Sequence, residues 1–136
     1  RYCFAEEGEY HGRRALMSYE VGKAALDFLI ANSGNRRNLE VDFFGGEPTL
    51  NFQVVKDLVA YGREQEKIHN KNFRFTLTTN GVLLNDDIME FANKEMANVV
   101  LTLFQRQEQV KIKLSKIRPI SIQTALILRQ MIRYKP

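Results

Sequence analysis

Apolar and polar residues follow two rhythms along this chain. After Ser18, which can cap a helix, Val21, Ala25, Phe28 and Leu29 recur at spacings of four, three and one, on one helical face. Gly34 ends that helix well, because glycine takes the left-handed C-terminal conformation without steric penalty. A basic turn, Asn35–Asn38, leads to Leu39–Phe44, a short apolar run with β-branched and aromatic residues that predicts a strand. Gly45-Gly46-Glu47-Pro48 breaks the strand sharply. A second helix begins at Thr49 or Asn51, with Val54, Leu58 and Tyr61 predicted inward. After the polar turn His69–Asn72, Phe73, Phe75 and Leu77 alternate with Arg74 and Thr76, the period of a strand. Thr78-Thr79-Asn80-Gly81 terminates it. Asn85 then caps a third helix, with Asp86 and Asp87 in the first turn, where the helix dipole favours negative charge. Asn98–Leu103 reads as another strand.

Helices alternating with strands imply parallel βαβ units, whose crossovers are almost always right-handed. The fold class predicted is therefore α/β with parallel strands. Such sheets place their chemistry at the carboxyl ends of the strands, so the segments after Phe44, Leu77 and Leu103 matter most. Two of the three are unusual. In Gly45–Pro48 and Thr78–Gly81, bare backbone and small polar groups can approach a ligand closely.

Composition narrows the function classes. The 136 residues allow one domain, and 44% hydrophobic with 26% charged residues is ordinary for a globular protein. No apolar run approaches the roughly 18–20 residues of a membrane span. The chain opens on Arg1 with no basic-then-apolar leader, so no signal peptide is in view. A single cysteine rules out an internal disulfide and suits a reducing cytoplasm. The net charge of +4 is uneven: residues 1–100 hold 12 Lys/Arg against 15 Asp/Glu, whereas residues 101–136 hold 8 against one, Glu108. A basic tail of this kind is compatible with nucleic-acid or membrane contact. His11 and His69 lie in polar loops without metal-ligand spacing, and Arg13-Arg14 and Arg36-Arg37 read as solvated charges. Asp42, within a strand, either points into an interior or lies at an exposed edge. No G-x-G-x-x-G or Walker loop is present.

Three elements carry chemistry together. Cys3 alone is ambiguous, because most lone cysteines are inert small hydrophobes. Two glycines followed by an acid remove side chains where backbone must approach a ligand, and Glu47 supplies a carboxylate suited to an amine. Asn80-Gly81 alone is a common turn. In combination, Arg1-Tyr2-Cys3-Phe4 resembles the close of the radical S-adenosylmethionine (SAM) cluster motif, C-x-x-x-C-x-aromatic-C, with Tyr2 as the aromatic and Cys3 as the third cysteine. Gly45, Gly46, Glu47 and Pro48 match the family's G-G-E-P element, and Thr78–Gly81 resembles its T-N-G element. The segments from Asn38 to Pro48 and from Asn72 to Asn85 are most similar to the SPASM-type peptide-modifying branch, above all maturases that install thioether crosslinks in six-cysteine ribosomal peptides. Anaerobic sulfatase-maturating enzymes come next.

This resemblance implies a partial (β/α) barrel and two cofactors, a 4Fe-4S cluster and SAM. Cys3 would be a cluster ligand, with the first two cysteines falling ahead of Arg1. Tyr2, Gly45, Gly46, Glu47, Pro48, Thr79 and Asn80 would line the cofactor site, the G-G-E-P element meeting the amino group of SAM. The reduced cluster would cleave SAM to methionine and a 5′-deoxyadenosyl radical that takes hydrogen from a peptide substrate. The implied partners are a ribosomally made peptide and a reduced flavodoxin or ferredoxin type electron donor, with no membrane and no nucleic acid. The implied location is the cytoplasm. Catalytic side chains are not identified.

The resemblance covers residues 1–103, read as the N-terminal part of a radical SAM core domain lacking its first strand. Beyond it the family's S-x-D-G pattern is missing from Leu101-Thr102-Leu103-Phe104-Gln105-Arg106. Residues 104–136 contain no glycine, one acid and eight bases. Ser121–Ile132 either forms an amphipathic helix or belongs to a shifted reading frame in an incomplete gene. The coincidence of composition change and pattern loss favours the second. On this reading the isolated chain is not expected to hold a cluster or turn over. The alternative from another class is a non-catalytic α/β segment whose basic tail binds nucleic acid or an acidic partner.

Overall fold

In a computed structural model of the chain, which describes residues 15–102, three helices and three strands alternate: α1 (Tyr19–Asn32), β1 (Asn38–Phe43), α2 (Phe52–His69), β2 (Asn72–Thr79), α3 (Asp86–Glu95) and β3 (Asn98–Leu101). A short 3-10 turn, Pro48–Asn51, precedes α2. The strands form one parallel sheet in the order β1-β2-β3, with Asn38 opposite Asn72, Phe43 opposite Leu77, and Thr76 opposite Asn98. The α/β class with parallel strands expected from the hydrophobic pattern is what forms.

The helix boundaries have local causes. The Ser18 hydroxyl accepts from the Val21 amide at α1, and the Asn85 side chain accepts from the Ile88 amide at 2.8 Å at α3. α2 ends where Asn70 turns left-handed, at φ 52°, a conformation asparagine tolerates better than most residues.

The sheet has two unlike faces. Leu39 and Phe43, then Phe73, Phe75 and Leu77, then Val99 and Leu101 join Leu26, Ile30, Val55, Leu58, Val59, Ile88, Met89 and Ala92 of the helices in one core. Phe75 and Leu77 are completely buried, and Phe75 stacks against both Phe43 and Phe73. The alternating residues point the other way. There Glu40 pairs with Arg74, Asp42 meets Thr78, and Asn98 donates to Thr76. A polar face opposite a helix-covered one is what an open piece of barrel sheet presents toward its interior.

The inward faces of α1 and α2 differ from those the apolar periodicity predicts. On α1 the buried stripe is Gly22, Leu26 and Ile30, while Val21 and Phe28 are 61% and 70% exposed. On α2 it is Val55, Leu58, Val59 and Gly62, with Val54 and Tyr61 only half-buried. The cause is a glycine in each stripe. A Cβ on Gly22 would lie 2.4 Å from Leu58 Cδ1, and one on Gly62 would lie 2.6 Å from Phe75 Cζ. Each glycine admits a core side chain against the helix backbone, so the helix rotates its glycine inward and leaves larger apolar residues outside. Asn98–Leu103, expected as a strand, pairs as Asn98–Leu101, and Leu103 lies outside the described residues.

Candidate cofactor site at the carboxyl ends of the strands

β1 and β2 stop pairing at Phe43 and Leu77, and the two unusual turns lie beyond that point. In the first turn Gly45 and Gly46 have φ of +100° and +36°, a region L-residues with side chains rarely occupy. Among the described residues, a Cβ added at either would meet nothing within 4 Å. No hydrogen bond among the described residues engages the backbone of Gly45 or Gly46. Their carbonyls therefore have no hydrogen-bond partner among the described residues.

Glu47 follows as the N-cap of the 3-10 turn, with Pro48 in the first-turn position that proline's fixed φ suits. Its carboxylate is heavily used. Oε1 accepts from the Thr49 amide at 3.2 Å, the Thr49 hydroxyl at 2.5 Å and the Thr79 hydroxyl at 2.6 Å. Oε2 accepts from the Asn80 amide at 2.8 Å. One side chain thus brings Gly45–Pro48 and Thr79–Asn80 together, segments that the sequence analysis singled out separately.

The second turn satisfies its own donors. The Gly81 amide donates to Thr79 Oγ1 at 3.1 Å and the Val82 amide to Asn80 Oδ1 at 2.9 Å. Gly81 itself is left-handed, at φ 77°. The backbone amides of Asn80, Gly81 and Val82 are thus all committed within the turn and to Glu47. The negative charge of Glu47 and the unpartnered carbonyls of the first turn, among the described residues, suit a cationic donor such as an ammonium.

Thr49 and Thr78 have roles that apolar periodicity does not reveal. Thr49, read only as a helix start, is buried and hydrogen-bonds Glu47 through both amide and hydroxyl. A Glu-Pro-Thr run after a strand is the available signal, since it places a carboxylate at an N-cap. Asp42 lies on the open face and accepts from Thr78 Oγ1 at 3.0 Å, so neighbouring threonines of β2 grip one acid on each side of the sheet.

Cys3, Tyr2 and His11 lie outside the described residues, as does the basic tail after residue 102. Among the described residues no group of three His, Cys, Asp or Glu could hold a metal ion, and no helix is long and apolar enough to cross a membrane. His69 lines a depression of about 520 Å³ with Asp27, Ile30, Ala31, Gly34 and Lys71. It lies by the amino ends of the strands, away from Glu47. Its ionic groups are engaged within the fold: the Lys71 ammonium donates to the Gly34 and Arg36 carbonyls at 2.7 and 3.0 Å, and Asp27 takes bonds from Lys23 and Tyr61. Those two bonds, Lys23 first, hold the Asp27 carboxyl below its ordinary value; Asp27 and then burial push the Tyr61 phenol up. We place no chemistry there.

Comparison with known proteins shows the family. The radical SAM superfamily profile matches residues 1–118. An uncharacterised protein of Methanocaldococcus jannaschii is 32% identical over 89 residues, covering 65% of this chain and 28% of that protein. The radical SAM cyclopropyl synthase TigE of Paramaledivibacter caminithermalis is 22% identical over 113 residues, 75% of this chain and 23% of TigE. The chain thus spans about a quarter of the length of these curated relatives. With a family match over most of its length and an α/β sheet to carry it, this chain belongs to the radical SAM superfamily, enzymes that use a 4Fe-4S cluster and S-adenosylmethionine.

Proposed function

We propose that the cradle at the ends of β1 and β2 binds the methionine end of SAM, within an enzyme that modifies a ribosomally made peptide. The observation that carries the reading is the junction at Glu47, which sets Gly45 and Gly46, uncrowded and without hydrogen-bond partners among the described residues, against the Thr79–Asn80 wall. The residues fit the group. An ammonium needs acceptors and nearby negative charge, and the first turn supplies both.

When bound with a reduced cluster, SAM supplies a 5′-deoxyadenosyl radical able to take hydrogen from unactivated carbon. The residues described here perform the binding and orienting. Gly45 and Gly46 take the ammonium, Glu47 biases the site toward cations, and Pro48 fixes the turn. Thr79 and Asn80 form the facing wall, and Cys3 and Tyr2 belong to the cluster segment. The open polar sheet face with Asp42, Arg74 and Asn98 gives a peptide hydrogen-bonding partners.

The finer reading is a SPASM-type maturase forming thioether crosslinks, served by a flavodoxin- or ferredoxin-type electron donor in the cytoplasm. The long segments from Asn38 to Pro48 and Asn72 to Asn85 support it, as does similarity to a protein named a radical SAM cyclopropyl synthase. Residues 1–103 form the core-domain portion on this reading, and 104–136 a departure from it. DNA sequence immediately upstream of the Arg1 codon tests the proposal. A frame completing C-x-x-x-C-x-Tyr-Cys is expected; an upstream frame without those cysteines contradicts it.

A further inference from the structure

We infer that Glu47 is a positioning residue: gripped by Thr49 and Thr79, its carboxylate locks the turn after β2 onto the turn after β1, so both meet the ligand as one surface. The identity of that ligand rests on the function proposed above; the lock itself does not.

Main-chain pairing between β1 and β2 ends at Phe43 and Leu77. Past it, two hydrogen bonds from the β2 side, the Thr79 hydroxyl at 2.6 Å and the Asn80 amide at 2.8 Å, end on Glu47. Thr49 holds the same carboxylate from its own side at 3.2 and 2.5 Å. Four donors converge on two oxygens. The two oxygens of a carboxylate accept from both sides, whereas a glutamine has one oxygen and would turn N–H donors toward the other side.

The direction of each bond is determined. Thr79 Oγ1 accepts from the Gly81 amide at 3.1 Å, leaving its single proton for Glu47. Glu47 therefore holds Asn80 directly and Gly81 through Thr79. Thr49 and Thr79 are 7% and 2% exposed, so water does not readily replace a lost partner. Bonds to a charged acceptor are also roughly twice as strong as neutral ones.

The test uses the full 136-residue chain. Amide exchange measured by NMR without SAM reads the lock. In Glu47→Gln the Thr49 and Asn80 amides should exchange at least about tenfold faster while β3 amides keep their rates. Thr79→Val should speed Asn80 and Gly81, and Thr79→Ser, which keeps the hydroxyl, should restore both to within about twofold. This pair carries the test even if Glu47→Gln does not fold. Equilibrium dialysis with labelled SAM reads positioning: Thr79→Val should weaken binding at least about fivefold and Thr79→Ser should recover it. Unchanged Asn80 exchange in both Glu47→Gln and Thr79→Val overturns the lock. Faster exchange with unaltered SAM affinity in Thr79→Val overturns positioning. If wild-type protein fails to bind SAM while the exchange pattern holds, the lock stands and the cofactor reading falls.

Discussion

A single methyl group is enough to disturb the contact between α2 and the sheet. Alanine at Gly62 would gain up to about 1 kcal/mol in helix propensity. Its Cβ, however, would press 2.6 Å from Cζ of Phe75, a ring with no exposed surface and no room to yield. Overpacking of this kind costs about 1–3 kcal/mol, so Gly62→Ala should lower the urea midpoint despite the better helix former. Phe75→Ala should be worse, about 3–5 kcal/mol, since it empties the centre of the aromatic stack. Gly45 differs, because space is open there and only its φ of +100° resists a side chain. Gly45→Ala should cost on the order of 1–3 kcal/mol through backbone strain and weaken SAM binding more than Gly34→Ala, which lies away from the cradle. These positions also show what hydrophobic periodicity misses. It ranks Val21 and Phe28 as core and passes over Gly22, because a glycine registers as neither polar nor apolar. The contact that turns α1 depends on what glycine lacks. The Gly45–Pro48 run, by contrast, is legible only from its place: paired glycines before an acid also close ordinary tight turns, but here they follow directly on a parallel strand.

At the scale of elements, alternation and caps were the readable part. Ser18 and Asn85 cap the helices their positions suggest, and Phe73, Phe75 and Leu77 line one face of β2. Asn85→Ala should cost about 1 kcal/mol, measured by thermal unfolding, because it strips the acceptor from the Ile88 amide. Contacts between elements were not readable, since they join residues far apart in the chain. Asp27 of α1 meets Tyr61 of α2 across 34 positions, and Glu47 meets Thr79 across 32. The first pair carries a pH dependence. Lys23, then Tyr61, depress the Asp27 carboxyl in the folded state. Its contribution is therefore complete above the ordinary aspartate range, near pH 4, and is lost as pH falls through the lower folded value. Asp27→Asn should be slightly less stable than wild type at neutral pH, and the two unfolding curves should converge in strong acid. The difference should be small because Lys23 and Asp27 are 42% and 44% exposed.

For the whole molecule, the sheet explains why two short turns matter. Three parallel strands run the same way, so segments more than thirty residues apart in sequence emerge side by side, and among the described residues helices cover one face of the sheet while the other is polar. The family was legible from three short motifs, and the superfamily match extends to residue 118, past the point where the recognisable pattern stops. The substrate was not legible, since the chain spans only about a quarter of its relatives' length. The central claim is that SAM occupies the cradle between β1 and β2. An NMR titration of SAM into the labelled 136-residue chain tests it most directly. The account predicts the largest shifts at the amides of Gly45, Gly46, Asn80 and Gly81, with little change at Ala31, Gly34 and His69. Shifts centred on that second group, or none near Gly45, would contradict it.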